Sequence, residues 1–182
     1  MSKKQNNQYT EHQIDCSSWF DEGGYCQFYP IKGHSFLGFK EFRSKRKANY
    51  SRSVQKELSK FDLAPKIYSP VCKLKFFDRD DPDYDCISDW GYVTEVAEDI
   101  QPKKLSLAKI QNLVNEIYEK SGLKFWDCHY YNIGLVDRNN TQKLVCIDTG
   151  KESFDGYANA WGFAEPGPKC SYCNKYQCRC SE

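Results

Sequence analysis

Two short stretches hold the side chains best suited to chemistry. Asp127-Cys-His-Tyr-Tyr-Asn132 precedes a pair of apolar segments, and Ile147-Asp148-Thr-Gly150 closes that pair. The segments Ile133-Gly-Leu-Val136 and Leu144-Val-Cys-Ile147, joined by the turn Asp137-Arg-Asn-Asn-Thr141, read as a hairpin. The two ends of a hairpin meet, so Asp127, Asn132 and Asp148 are expected to converge at its mouth. Three oxygen-bearing side chains there suit a hard divalent cation such as Mg²⁺. Gly150 permits a tight backbone path beside them. Singly, Asp127 reads as a turn residue and Asn132 as a strand entry; their joint spacing with Asp148 favours the cation. His129 reads as a structural, hydrogen-bonding histidine. A second set is Cys170, Cys173, Cys178 and Cys180, four thiols within eleven residues, which suit tetrahedral Zn²⁺. Their second pair is C-x-C, tighter than the usual knuckle, and the rival reading is a reduced, disordered tail or one that forms disulfides on purification.

These residues need elements to position them. Tyr25–Ile31 and Ser35–Phe42 alternate about Lys32-Gly33-His34 and predict a hairpin. Arg43 to Arg52 reads as a basic, solvated connection, with a phosphate-rich or nucleic-acid partner the minority reading. Val54, Leu58 and Phe61 recur at helical spacing until Pro65. Residues 66–77 predict a strand, Asp78 to Asp89 an acidic loop, and Trp90–Val96 the next strand. Leu107, Ile110, Leu113, Val114 and Ile117 form one helical face, closed by Ser121-Gly122. Strands, a helix, strands, a helix and a hairpin describe an α+β protein.

Composition bounds the function. The chain has 182 residues, 26 Lys plus Arg and 25 Asp plus Glu, a net charge of +1. That balance excludes a polycation that holds nucleic acid by bulk charge, and also an acidic solvating chain. Hydrophobic residues at 40% and aromatic residues at 15% favour a folded globule over disorder. The N-terminus is polar and no stretch has transmembrane length, so a reducing cytoplasm is the expected compartment. The ten cysteines are then expected as buried small side chains or metal ligands rather than disulfides.

The pattern resembles the protein-kinase-like superfamily. Asp127 and Asn132 match its D-x-x-x-x-N loop, and Asp148-Thr-Gly150 matches D-F-G with Thr for Phe. With His129 the loop reads D-x-H-x-x-N, similar to the aminoglycoside-phosphotransferase and small-molecule-kinase branch. The resemblance implies further roles. Gly23 and Gly24 occupy the glycine-rich-loop position, without the full G-x-G-x-x-G. Lys40 falls at the third-strand lysine and Glu57 at its helical partner. Residues 92–98 look like the hinge, with the backbone of Glu95 and Ala97 meeting adenine and Thr94 near the gatekeeper. Lys40 would neutralise the ATP phosphates, Asn132 and Asp148 would hold Mg²⁺, and Asp127 would take the acceptor proton.

The implied fold is a two-lobe kinase-like α+β structure with an antiparallel N-lobe sheet and a truncated, mostly helical C-lobe. Its expected divisions are a mobile tail over 1–18, an N-lobe over 19–98, a reduced C-lobe over 99–165 and a Cys-rich tail over 166–182. Phe125-Trp126 replaces the family's His-Arg, no Ala-Pro-Glu is present, and 32 residues follow Gly150. The expected activity is ATP- and Mg²⁺-dependent phosphoryl transfer to a hydroxyl of a protein or small molecule, with a partner chain available to complete the short C-lobe. The alternatives are a pseudokinase that binds nucleotide without turnover, or an assembly module that keeps the fold.

Overall fold

The computed structural model describes residues 12–16, 21–22, 26–81, 83, 85–100 and 105–154. The expected β-hairpin forms as β3 (Gln27–Ile31) and β4 (His34–Phe42), with Gly33 at φ +77° in the turn. Pro30 has no N–H for the ladder, and the register shifts between Pro30 and Ile31. β6 (Trp90–Glu95) pairs antiparallel with β4 from Leu37↔Glu95 to Phe42↔Trp90. β1 (Gln13–Asp15), expected within a mobile tail, instead lies in the sheet. It runs antiparallel to β3 and parallel to β5 (Lys75–Phe77), and β2 (Asp21–Glu22) adds to β3. Ile14 alone anchors β1; it is fully buried, and a single apolar residue among polar neighbours leaves little pattern to read.

Residues 66–77 form a full strand only at β5. Pro65 and Pro70 lack ladder donors, so the segment touches β6 by isolated bridges at Ile67↔Thr94 and Cys72↔Gly91. Ser69 mends one gap, its hydroxyl accepting from Val93 N at 2.8 Å. The segment thus borders β6 at one end and β1 at the other, and the sheet curls round a core of Ile14, Tyr29, Ile31, Leu37, Phe39 and Leu74. The opposite face presents Lys40 and Tyr92, which pair in register. Beside them the Phe28 ring lies against Gly38, where a Cβ would fall 2.1 Å from the ring.

α1 (Lys45–Ser59) begins nine residues before Val54, inside the stretch read as a basic connection. Ser44 caps it, accepting from Lys47 N at 3.3 Å. Its buried face is Ala48, Ser51, Val54, Gln55 and Leu58. The spacing is helical, but two of the five are polar, so a search for apolar periodicity sees only the second half.

β7 (Glu98–Asp99), β8 (Ile133–Arg138) and β9 (Thr141–Cys146) make a second, antiparallel sheet. The expected hairpin is tighter than the sequence suggests. Asn139 and Asn140, at φ 52° and 62°, form a two-residue turn whose positive φ values match the twist of the strands. α2 (Leu107–Ser121) stands as expected, with Ser106 as N-cap and Gly122 left-handed at φ 70°. α3 (Lys151–Phe154) follows the hairpin. α1, α2, β8, β9 and α3 share one core through Leu58, Ile117, Ile133, Cys146 and Phe154. The described chain is therefore α+β with largely antiparallel sheets. No helix among the described residues is long and apolar enough to cross a membrane.

Candidate functional site

The loop before β8 is fixed from behind. Phe125 is buried and stacks on Phe154 at 5.1 Å between centroids, and Trp126 N donates to Ser153 O at 2.9 Å. That holds Asp127 at the protein surface beside a single 3₁₀ turn, Tyr130–Asn132. Asn132 Nδ2 donates to Asp127 O at 2.8 Å and to Asp127 Oδ2 at 3.0 Å. His129 Nε2 lies 3.3 Å from Asp127 Oδ1. The His129 hydrogen bond, helped by Asn132 and opposed by partial burial, holds the Asp127 carboxyl below its usual range. The same bond raises His129, and the negative charge of Asp148 adds to the effect.

Asp148 reaches this loop through the backbone, since Ile147 N donates to Asn132 O at 2.9 Å. Its carboxylate also braces the turn into α3. Oδ1 accepts from Gly150 N at 2.9 Å and Oδ2 accepts from Ser153 Oγ at 2.8 Å. A Cβ on Gly150 would lie 2.7 Å from Glu152 Oε2 and 3.1 Å from Asp148 Oδ1, so a larger residue there would push the Glu152 side chain aside.

Lys40 comes to the same place from the sheet. It is only 5% exposed, and its Nζ donates to Ile147 O at 2.7 Å. Burial works against its charge, but the surrounding Tyr92, Cys26 and Asp148 more than offset this and raise its pKa. The structure thus brings together Lys40, Asp127, Asn132 and Asp148, drawn from β4, a loop and the end of the β8–β9 hairpin.

Glu57 does not join them. It lies on the solvent side of α1 and pairs with Lys60. Ser51 faces the site, and six residues further on the helix has turned by about 240° from that direction. Ser51 and Gln55 occupy the buried face instead, both essentially inaccessible to solvent. Neither was singled out from sequence, because a serine or glutamine on a helix carries no signal of burial by itself. Tyr92 and Thr149 were likewise missed as partners of Lys40.

At the expected hinge, Glu95 N donates to Lys66 O at 2.8 Å, so this amide serves the sheet. Its carboxylate takes both prongs of Arg138 at 2.6 and 2.7 Å. Ala97 crosses Gly134 of β8 so closely that a Cβ there would lie 2.8 Å from its own. Gly23, Gly24 and the four tail cysteines, Cys170, Cys173, Cys178 and Cys180, lie outside the described residues.

The oxygens present suit Mg²⁺. Asn132 turns its Nδ2 to Asp127, which leaves Oδ1 as a donor to a metal. Each Asp148 oxygen accepts one hydrogen bond and keeps a second lone pair. One carboxylate and one amide oxygen, completed by phosphates and water, is a common Mg²⁺ environment. No cluster of three or more His, Cys, Asp or Glu side chains able to cage a metal occurs among the described residues. Comparison with known proteins finds no matching family model, no matching curated protein and no matching solved structure.

Proposed function

We propose that this protein is an ATP- and Mg²⁺-dependent phosphotransferase that acts on a hydroxyl acceptor, with a kinase-like two-lobe arrangement. In this reading the curled sheet forms one lobe, and α2, the β8–β9 hairpin and α3 form the other. One observation carries it. The Lys40 ammonium is bonded to the carbonyl of Ile147, and the amide of that same residue is bonded to Asn132. A buried cation, a carboxylate and the Asp127–Asn132 loop therefore share a single point of the backbone. A triphosphate with a divalent cation is a ligand that needs all of these groups at once.

Each residue then has a role. Lys40 binds a phosphate oxygen with the ammonium proton that Ile147 and Thr149 leave available. Asn132 and Asp148 hold Mg²⁺, which when bound neutralises the charge of the phosphates. Asp127, held ionised and oriented by Asn132 and His129, takes the proton of the acceptor hydroxyl. Stabilisation of developing charge by groups already in place is the main expected source of rate.

A nucleotide-binding module without turnover is the second reading. It is favoured because no carboxylate among the described residues accepts a hydrogen bond from Lys40, and because both Asp148 oxygens already accept hydrogen bonds, from Gly150 N and Ser153 Oγ. Thermal shift and transfer from γ-labelled ATP separate the two. ATP with Mg²⁺ should raise stability by about 2.7 kcal/mol at a hundredfold excess over Kd. Asp148→Ala should abolish the Mg²⁺-dependent part. Asp127→Asn should keep the shift and lower transfer by about 10²-fold or more. A shift with no transfer in the wild type selects the binding module, and no shift rejects both readings.

A further inference from the structure

Lys40 carries a buried charge, yet the side chains within hydrogen-bonding reach of its ammonium are neutral. Thr149 Oγ1 lies 3.5 Å from Nζ, at the long end of a hydrogen bond. From Thr149 a continuous run of side chains leads away. Thr149 Oγ1 meets Ser51 Oγ at 2.8 Å, and Ser51 Oγ meets Tyr92 OH at 2.9 Å. Tyr92 OH donates to Gln55 Oε1 at 2.8 Å. Thr149, Ser51 and Tyr92 are fully buried and Gln55 is 1% exposed, so water does not compete along the run.

Counting protons gives this run a single direction. The Gln55 amide is oriented by Pro65 O, an acceptor only, which must face Nε2 at 3.0 Å. Oε1 therefore faces Tyr92, whose one hydroxyl proton goes to it. Tyr92 can then only accept from Ser51. The Ser51 proton is thus committed, so Ser51 accepts from Thr149. Thr149 in turn has its proton committed and offers Lys40 a lone pair. Three hydroxyl dipoles line up with their oxygen ends towards the ammonium. Aligned hydrogen bonds polarise one another, which strengthens the end next to the charge.

We infer that Ser51 and Thr149 are positioning residues for Lys40, a neutral hydroxyl chain taking the place of the helix carboxylate that the sequence suggested at Glu57. The chain ends on Gln55, so it ties α1, β6 and the Asp148-Thr-Gly150 turn to the lysine. Its use in phosphate binding rests on the phosphotransferase reading, but its effect on Lys40 does not.

The test uses the full-length protein and two readouts. The first is the rate at which Lys40 is acetylated by an N-hydroxysuccinimide ester, read by peptide mass spectrometry with exposed Lys60 as internal reference. Thr149→Val keeps the shape and removes the hydroxyl, and should speed Lys40 labelling about tenfold while Lys60 is unchanged. Thr149→Ser restores the hydroxyl and should return the wild-type rate, which a loss of packing alone would not. Ser51→Ala should match Thr149→Val. The second readout is the ATP KM, expected to rise about tenfold in Thr149→Val with a smaller change in kcat. If Thr149→Val does not fold, Tyr92→Phe takes its place and should speed Lys40 labelling several-fold. Wild-type labelling in a folded Thr149→Val or Tyr92→Phe variant, or failure of Thr149→Ser to restore it, overturns the inference. A wild-type protein that binds no ATP rejects the phosphotransferase reading and leaves the labelling result to decide this one.

Discussion

Asp127 and His129 show how far a local spacing reaches. Two residues apart, they bond to each other, and each shifts the other's titration in the direction that favours the charged pair. The Asp127 carboxyl sits below its ordinary 3.8, so its share of stability is present above that value and is lost as pH falls through the folded pKa. His129 sits above its ordinary 6.5, so its share is complete below that value and is lost as pH rises through the folded pKa. The pair therefore contributes most between about pH 4 and pH 6.5. Both side chains are about half exposed, which limits the gain to about 1 kcal/mol or less. His129→Gln should lower the urea midpoint at pH 5.5 and leave it almost unchanged at pH 9. An equal loss at both pH values would show that His129 acts by packing rather than by charge.

At the scale of elements, the β4–β6 pair sets the position of Lys40. Gly91 sits opposite Glu41 in this ladder, where a Cβ would lie 2.4 Å from the Lys40 carbonyl oxygen. A backbone atom cannot swing away as a side chain can, so Gly91→Ala must part the two strands beside the Lys40–Tyr92 pair. The expected cost is about 2–3 kcal/mol, with faster amide exchange along β6. Gly33→Ala makes the contrast. Nothing lies within 4 Å of a Cβ there, and only the positive φ opposes it. Its cost should be about 1 kcal/mol, and exchange in β6 should not change. Thermal unfolding of the two variants side by side measures the difference.

At the scale of the molecule, Arg138 joins three regions distant in sequence. It extends from the end of β8 to both oxygens of Glu95 in β6 and, at 3.0 Å, to Asp62 just past α1. The arginine is 11% exposed and the glutamate 17%, so removing one partner strands a largely buried charge. Burial alone would raise Glu95, but the Arg138 hydrogen bonds, the Lys66 amide at 3.0 Å and the positive charges of both residues together outweigh it and hold the carboxyl below its ordinary 4.5. Its stabilising share is thus present above pH 4.5 and is lost as pH falls through the folded value. Arg138→Ala should cost about 2–3 kcal/mol at pH 7 and much less at pH 3. Arg138→Lys should recover only part, because an ammonium cannot make the paired bonds of a guanidinium. Denaturant unfolding at the two pH values tests both expectations.

Local chemistry determined much of this protein. The β8–β9 hairpin follows from two apolar runs about Asn139-Asn140, α2 from a regular apolar face and its caps, and the grouping of Asp127, Asn132 and Asp148 from their places at the two ends of one hairpin. In each case the signal and its cause lie within about twenty residues. The partners of Lys40 do not. Ser51, Tyr92 and Thr149 are spread across 109 residues of chain from Lys40 to Thr149. Their burial depends on hydrogen bonds that exist only once α1, β6 and the turn after β9 are packed together. A polar side chain has no burial preference of its own to display in a sequence. Ile14 likewise gains its place in β1 only because β3 and β5 arrive on either side of it. The phase of α1 is decided in the same way. Glu57 has the right type and approximate spacing to pair with Lys40, but tertiary packing turns Ser51 and Gln55 inwards and leaves Glu57 in solvent with Lys60.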